Sequence, residues 1–413
     1  MKKILFGTTA LAAIGLLAGG VQAADQTNGP IQISIGGYFY GFLQGVNQSN
    51  GQGHKNDAIT DKSRLSFQGK ATLDNGLKAG FVINLRGESE TETASLLSAD
   101  QVDDHFVYLD SATYGRVELG ATSSAPRKMF YGASTPLQPA SGLNSPNFLW
   151  FANTGNPLFQ PTSLIDFGDA DKATKITYFT PRVAGFQLGV SFAPSNCVQN
   201  EEEELGNGNN SSAGWGGNTT ASSCIFFGAT PLKDEVARQD NIVEAALNYV
   251  GNFNGVGVGA YVGGGHASLS APAINGATLR DLEQYGGGLN VSYAGFSLGA
   301  SLKYDNNGTS DGTSATSPLP TDRWDGSVGL TYTTGPWSIG ATYAYAQDKE
   351  VNNTGMDLGK DKLNAQAIGV NYVLGPGINL NGGVEHLDYT GYPGSVGYAD
   401  KGFLYTVGTV LNF

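Results

Sequence analysis

The last eleven residues, 403–413, limit most strongly what this chain can fold into. Successive side chains of a β-strand point to opposite faces. One face of a strand here is aromatic and apolar, and it consists of Phe403, Tyr405, Val407, Thr409, Leu411 and Phe413. A soluble sheet that ended on such a strand would expose an unpaired apolar edge, which proteins avoid. A closed barrel in lipid removes that edge by pairing the last strand with the first, and the alternative is the C-terminal strand of a soluble β-sandwich.

The composition fits a barrel better than a helical membrane protein. After residue 23 there is no apolar run of the roughly 20 residues that a membrane helix requires. The mean hydropathy of −0.18 alone would indicate a soluble chain, but barrel strands escape hydropathy scans because their apolar and polar residues alternate. The formal net charge of −13 argues against a nucleic-acid partner. It suits a membrane surface where divalent cations bridge carboxylates to the phosphates of lipid and lipopolysaccharide.

The N-terminus has the pattern of a secretory signal peptide. Met1-Lys2-Lys3 is a basic start, residues 4–20 are apolar, and Val21-Gln22-Ala23 is a small-residue cleavage site. We therefore expect Sec-type export and cleavage after Ala23, with cleavage after Ala24 as the alternative. Removal of residues 1–23 takes two lysines away and makes the charge of the mature chain −15. Residues 24–413 contain no linker or change in composition, which predicts a single domain.

Two cysteines, Cys197 and Cys224, lie in one insertion rich in Gly, Asn and Ser. Export to an oxidising compartment favours a disulfide between them. Closing a loop of this length would stabilise the fold by roughly 3 kcal/mol. Two unpaired thiols are the alternative. Neither cysteine has a neighbouring His or Cys at a metal-binding spacing.

Two kinds of connection alternate along the mature chain, with strand-like runs between them. The short turns are centred on 74–76, 111–115, 180–185, 251–255, 294–295, 334–336 and 375–377. The long polar segments are 47–61, 88–104, 121–172, 193–239, 265–283, 305–322, 347–361 and 388–401. This alternation predicts about sixteen antiparallel strands in a transmembrane β-barrel, with short turns at one rim and long loops at the other.

The predicted strands have one face that suits lipid. Three uncharged faces begin and end with aromatic residues, eight positions apart, and they run Tyr285–Tyr293, Phe296–Tyr304 and Trp337–Tyr345. Eight residues of a strand tilted by roughly 40° rise about 20 Å, close to the ~25 Å apolar band between aromatic girdles. In the first strand, Gly36-Gly37 predicts a β-bulge.

Several segments resemble Gram-negative general porins, especially those of alphaproteobacterial and neisserial type. Residues 175–186, KITYFTPRVAGF, resemble the strand, turn and strand that follow the inward-folded third loop of those proteins. Residues 114–120, YGRVELG, resemble the strand that leads into that loop, and the terminal Phe413 is similar to the assembly signal of outer-membrane barrels. The resemblance implies a sixteen-stranded barrel, a homotrimer in the outer membrane, and passive diffusion of small hydrophilic solutes.

By the same resemblance, segment 121–172 folds into the lumen and narrows it between opposed charges. Arg64 matches the basic wall of the family well, and Arg86 and Arg116 match it less well. His105 stands where enteric porins have an arginine, and Lys172 or Lys175 completes the wall. The acidic side consists of Glu118, Asp166, Asp169 and Asp171. For each charge the alternative is a solvated residue of the lumen or loop.

Other chemistry is weakly indicated. Asp166, Asp169 and Asp171 have oxygen ligands at spacings that a calcium site could use, although the remaining EF-hand positions are absent. Enzymatic motifs are absent from the sequence, and His54, His105, His266 and His386 show no ligand spacing. We therefore expect a channel without catalytic activity. A substrate-specific sugar or anion porin is the nearest alternative, and a barrel hydrolase and an adhesin are more distant ones.

Overall fold

The computed structural model describes residues 31–49, 56–87, 102–135, 173–195, 239–269, 273–274, 277–278, 280–306, 319–351, 356–391 and 399–413. Its strands are β1 Gln32–Gln48, β2 Asp57–Thr72, β3 Lys78–Arg86, β4 Val102–Ser111, β5 Gly115–Ala121, β6 Thr174–Phe179, β7 Phe186–Ser195, β8 Gln239–Phe253, β9 Val256–Leu269, β10 Ala273–Ile274, β11 Ala277–Thr278, β12 Leu282–Tyr293, β13 Phe296–Asp305, β14 Leu319–Thr334, β15 Trp337–Val351, β16 Asp357–Gly375, β17 Ile378–Thr390 and β18 Ala399–Asn412. One short helix, α1, covers Ala125–Lys128. Within the described ranges, no helix is both long and apolar enough to cross a membrane.

Sixteen of these strands form one closed antiparallel barrel, as the sequence predicts. Strands β1–β9 and β12–β18 pair in chain order, and β18 returns to pair with β1. Strands β10 and β11 form a separate two-stranded sheet in the connection between β9 and β12. Closure leaves none of the sixteen strands with an unpaired edge, so the apolar C-terminal strand has partners on both sides.

The two kinds of connection also occur where they are predicted. The seven short turns join β2 to β3, β4 to β5, β6 to β7, β8 to β9, β12 to β13, β14 to β15 and β16 to β17. The eight longer connections start and end at the opposite ends of the strands. Because the turns alternate with loops along an antiparallel chain, all seven tight turns share one end of the barrel.

The two faces of the wall differ as lipid outside and water inside require. On β12 and β13 the outward side chains include Tyr285, Leu289, Tyr293 and Leu298, all of which are exposed on the surface of the barrel. Aromatic rings of neighbouring strands meet at the short-turn level, where the ring centroids of Phe296 and Tyr332 are 4.5 Å apart and those of Trp337 and Tyr372 are 4.4 Å apart. The ring centroids of Tyr304 and Trp324 lie 5.1 Å apart near the other end of their strands.

The barrel closes through the end of the chain. The backbone N–H of Gly37 donates to the carbonyl oxygen of Phe413 at 2.9 Å, and the N–H of Phe413 donates to the carbonyl of Gly37 at 3.1 Å. Pairing continues from Tyr38 opposite Asn412 along the seam. The bulge predicted at Gly36-Gly37 is wrong, because the register between β1 and β2 runs through both glycines without a shift.

Candidate pore-lining site

Two arginines of the early strands point into the barrel and bind two consecutive carboxylates. Arg64 on β2 contacts Asp104 on β4, and its Nη2 lies 2.9 Å from Oδ2 of Asp103. Nη2 of Arg86 on β3 lies 2.8 Å from Oδ1 of Asp103, and Nδ2 of Asn84 donates to Oδ2 of Asp104 at 2.8 Å. Adjacent strand residues normally face opposite ways, but a register shift makes Asp103 an extra residue of β4. This bulge lets both carboxylates reach inward arginines.

A second charged group surrounds Glu118 on β5, which is only 3% exposed. Its carboxylate accepts a hydrogen bond from Nε of Arg116 at 2.7 Å and contacts the ammonium of Lys128 in α1. The Arg116 guanidinium lies 3.9 Å from the centroid of the Tyr108 ring, and the Lys128 ammonium lies 4.7 Å from that of Phe106. Burial lowers the pKa of Lys128 below its ordinary value, although Glu118 acts in the opposite direction.

The segment that follows β5 begins by binding the inner wall at β6, β7 and β8. Nζ of Lys175 donates to the carbonyl of Thr122 at 2.5 Å. The hydroxyl of Ser124 donates to Oε1 of Glu244 at 2.9 Å, and the N–H of Ala125 donates to Oγ of Ser191 at 2.8 Å. Ser124 is the N-cap residue of α1, but its hydroxyl makes no capping bond. The start of the helix is therefore held by wall residues.

The same segment then crosses the inner faces of β8 to β15. Nδ2 of Asn248 lies 3.4 Å from the carbonyl oxygen of Met129, and the rings of Phe130 and Tyr261 are 5.1 Å apart. Further along, Ser134 accepts hydrogen bonds at Oγ from Nδ2 of Asn290, at 2.8 Å, and at its carbonyl from Oγ1 of Thr342, at 3.1 Å. Residues 122–135 thus lie inside the barrel against successive strands.

Across the barrel from Arg64 and Arg86 is a second charged wall. Strands β13, β14 and β15 lie eight places from β3, β4 and β5 in the ring of sixteen. On this wall Nε of Arg323 donates to Oδ2 of Asp325 at 2.7 Å, and Lys303 lies 3.7 Å from the same oxygen. Asp348 is 3.9 Å from Arg323, and Asp305 is 3.7 Å from Lys303. Two further carboxylates that are also buried, Glu350 on β15 and Asp361 on β16, continue this wall.

The structure brings together some of the predicted site residues and separates others. Arg64, Arg86, Arg116 and Glu118 line the interior, while Lys175 is 1% exposed and anchors Thr122. His105 pairs with Ile83, which is exposed on the outer surface, so the register places His105 on the outward face and Phe106 inward under Lys128. The basic position that the resemblance implies at 105 is therefore not a lumen position here.

The remaining predicted residues lie outside the described residues. These are Asp166, Asp169, Asp171, Lys172, Cys197 and Cys224. The calcium site and the disulfide therefore stay predictions. Within the ranges that the structure describes, no three His, Cys, Asp or Glu residues are grouped so as to hold a metal ion.

Sequence reasoning missed several residues of the site. Asp103 and Asp104 fall in the polar segment 88–104, which the sequence indicates to be a loop, whereas β4 begins at Val102 and includes both. Lys128 lies in a short helix inside the barrel and has no periodic signal in the sequence. The alternation of β14 could have identified Arg323 and Asp325 as inward residues, because Trp324 between them faces lipid.

A closed barrel with an apolar outer surface and a charged interior defines an outer-membrane channel. The comparisons with known proteins agree. A family profile described as Gram-negative porin matches residues 7–392. The chain belongs to this family of Gram-negative porins.

Individual relatives are distant. One relative is a protein of Rickettsia bellii (strain RML369-C), named only as an uncharacterized protein. It is 22% identical to this chain over 474 residues, and the match covers the full length of both chains. Among solved structures, the trimer form of OmpT, an outer-membrane protein of Vibrio cholerae, has a TM-score of 0.55 at 12% identity, covering 93% of this chain and all of that one. The anion-selective porin of Comamonas acidovorans has a TM-score of 0.54 at 15% identity, with the same coverage. At these identities the structures show a shared fold.

Proposed function

We propose that this outer-membrane channel admits small hydrophilic solutes and ions by passive diffusion, through a lumen that the connection between β5 and β6 narrows. The observation that carries the proposal is the path of residues 122–135, which bind inward-facing side chains from β6 to β15. A segment inside the wall takes up part of the cross-section of the barrel, and pore width governs which solutes pass.

The two charged walls support a transverse field as part of this function. In the ion pairs of the wall on β2–β5, together with α1, four cations, Arg64, Arg86, Arg116 and Lys128, contact three carboxylates, Asp103, Asp104 and Glu118, so these ion pairs together have one excess positive charge. The wall on β13–β16 has an excess of carboxylates over Lys303 and Arg323. The strands themselves would then supply opposed charges on the two sides of the lumen, in addition to any charges from residues 136–172.

Reconstitution tests the proposal directly. Purified protein added to planar bilayers should give stepwise increases in conductance, and proteoliposomes should swell in sugars at rates that fall steeply with sugar size. Detergent without protein is the control. Folded protein that gives no steps would refute the proposal. Conductance that one solute blocks in a saturable way would identify a substrate-specific porin instead.

We also propose that the protein works as a homotrimer in contact with lipopolysaccharide. A trimer form among the structures with this fold supports the first part, and the apolar outer surface leaves room for lipid and for neighbouring copies. Chemical cross-linking of the protein in native outer membranes should give a product of three times the monomer mass. If cross-linking gives only the monomer, the homotrimer proposal is contradicted.

A further inference from the structure

Three inward glycines on neighbouring strands lie under the segment inside the barrel. They are Gly288 on β12, Gly299 on β13 and Gly329 on β14, hereafter the inner glycines. A Cβ atom built on them would lie 2.0 Å from the carbonyl oxygen of Tyr131, 2.0 Å from that of Gly132 and 2.1 Å from that of Ser134, respectively. None of the three has a positive φ angle. Glycine is therefore needed here for space, since any residue could adopt the backbone conformation.

Polar side chains beside the inner glycines fix the segment onto this smooth part of the wall. Nδ2 of Asn290 donates to Oγ of Ser134 at 2.8 Å, and the hydroxyls of Ser134 and Ser297 are 2.9 Å apart. Oγ1 of Thr342 holds the carbonyl of Ser134 from the next strand. The hydrogen bonds pull residues 131–134 toward the wall, and the missing side chains let the backbone come into direct contact with it.

We propose that the inner glycines are positioning residues that set the width of the pore by fixing how far residues 131–134 stand from the wall. The inference rests on the proposed diffusion function. A methyl group at Gly299 or Gly329 would push the segment away by about 1.4 Å, the difference between roughly 2.0 Å and the 3.4 Å at which van der Waals contact becomes ordinary. The wall blocks movement in the other direction, so the segment moves toward the pore axis.

Gly299 and Gly329 are the informative positions because their added Cβ meets mainly the segment. At Gly299 the nearest atoms are the carbonyl oxygen and carbon of Gly132 and the Asn290 amide, and at Gly329 all three nearest atoms belong to Ser134. At Gly288 the Cβ would also come within 3.0 Å of wall atoms. Substitution there would disturb the barrel itself.

The test compares Gly299→Ala and Gly329→Ala with Gly326→Ala, a control on β14. Gly326 has the parity of exposed Trp324 and Val328, and its Cβ would meet nothing closer than 3.4 Å. A shift of this size toward the pore axis should lower single-channel conductance on the order of a quarter in either inner variant. Swelling should slow most for the largest permeant sugar, while thermal stability and conductance of the control stay at the wild-type values.

Unchanged conductance in folded Gly299→Ala and Gly329→Ala would overturn the inference, and conducting wild-type protein in the same experiment would leave the proposed function intact. Should both variants fail to fold, each substitution is repeated in a chain whose residues 131–134 are replaced by a longer glycine linker, which lacks the Ser134 hydrogen bonds and can move its backbone away from the wall. Folding is then recovered if the clash is with the segment, and continued failure of those variants, with the linker parent folded, overturns the inference.

Discussion

Removing the carboxylates of Asp103 and Asp104 on β4 should make the channel more selective for anions. The change Asp103→Asn with Asp104→Asn keeps the shape of both side chains and leaves the charges of Arg64 and Arg86 uncompensated. An ion that passes about 8 Å away interacts with one unit charge by about 0.5 kcal/mol in water. Screening at 0.1 M salt reduces this by about half.

Two uncompensated charges then favour an anion by about 0.5 kcal/mol and disfavour a cation by the same amount. The free-energy difference between anion and cation in the pore therefore changes by about 1 kcal/mol, and the permeability ratio of anion to cation should rise roughly fivefold. The measurement is the reversal potential of reconstituted channels under a potassium chloride gradient. The single-channel conductance checks that the pore itself stays open.

The control is Asp57→Asn with Asp74→Asn, which removes the same total charge from two exposed residues away from the arginines. Its reversal potential should equal that of wild type, since surface charges beyond a Debye length are screened. A wild-type reversal potential in the Asp103, Asp104 variant would refute the reasoning, because it would mean that these groups do not face the ion path.

Three further changes test other parts of the structure. Leu289→Arg places a charge midway between the aromatic ends of β12 and should cost about 2–4 kcal/mol of stability in lipid. The measurement is a urea titration of folding into vesicles. The control, Ser292→Arg on the inner face of the same strand, should fold like wild type. Glu118→Gln leaves two partly exposed cations without their carboxylate and should lower the unfolding free energy by about 1–3 kcal/mol, with recovery when Lys128→Met is added. Burial lowers the pKa of Lys128, so its positive charge is lost at a lower pH than that of an exposed lysine. The preference for cations should therefore increase as pH rises toward the ordinary pKa of lysine in wild type, and not in Lys128→Met.

The fold could be predicted because its main requirement repeats in every strand. Lipid excludes charge from one face and water accepts it on the other, so alternation fixes the parity of each strand, and the last strand needs a partner. The position of each turn is also a local property of the chain. The prediction of a bulge at Gly36-Gly37 is wrong because both glycines pair regularly with β2, and Gly37 also pairs with Phe413 where the barrel closes.

The site could be predicted only in part, because charge pairs depend on register between strands. Arg64 follows from parity alone. Asp103 and Asp104 reach it because one extra residue in β4 interrupts the alternation, and no rule based on period two places both carboxylates on one face. The same strand places His105 outward, although its position in the chain resembles that of a basic lumen residue.

The inner glycines show where sequence information ends. Alternation in the sequence predicts that Gly299 faces inward and Gly326 faces lipid, but it does not show what lies against Gly299. That depends on contact with a segment far away in the chain, such as the bond between Ser134 and Ser297, which are 163 residues apart. A barrel wall made of side chains of ordinary size would hold that segment further from the wall and leave a narrower passage. The role of the inner glycines on β12 to β14 therefore becomes visible only in the closed barrel, with residues 131–134 packed against them.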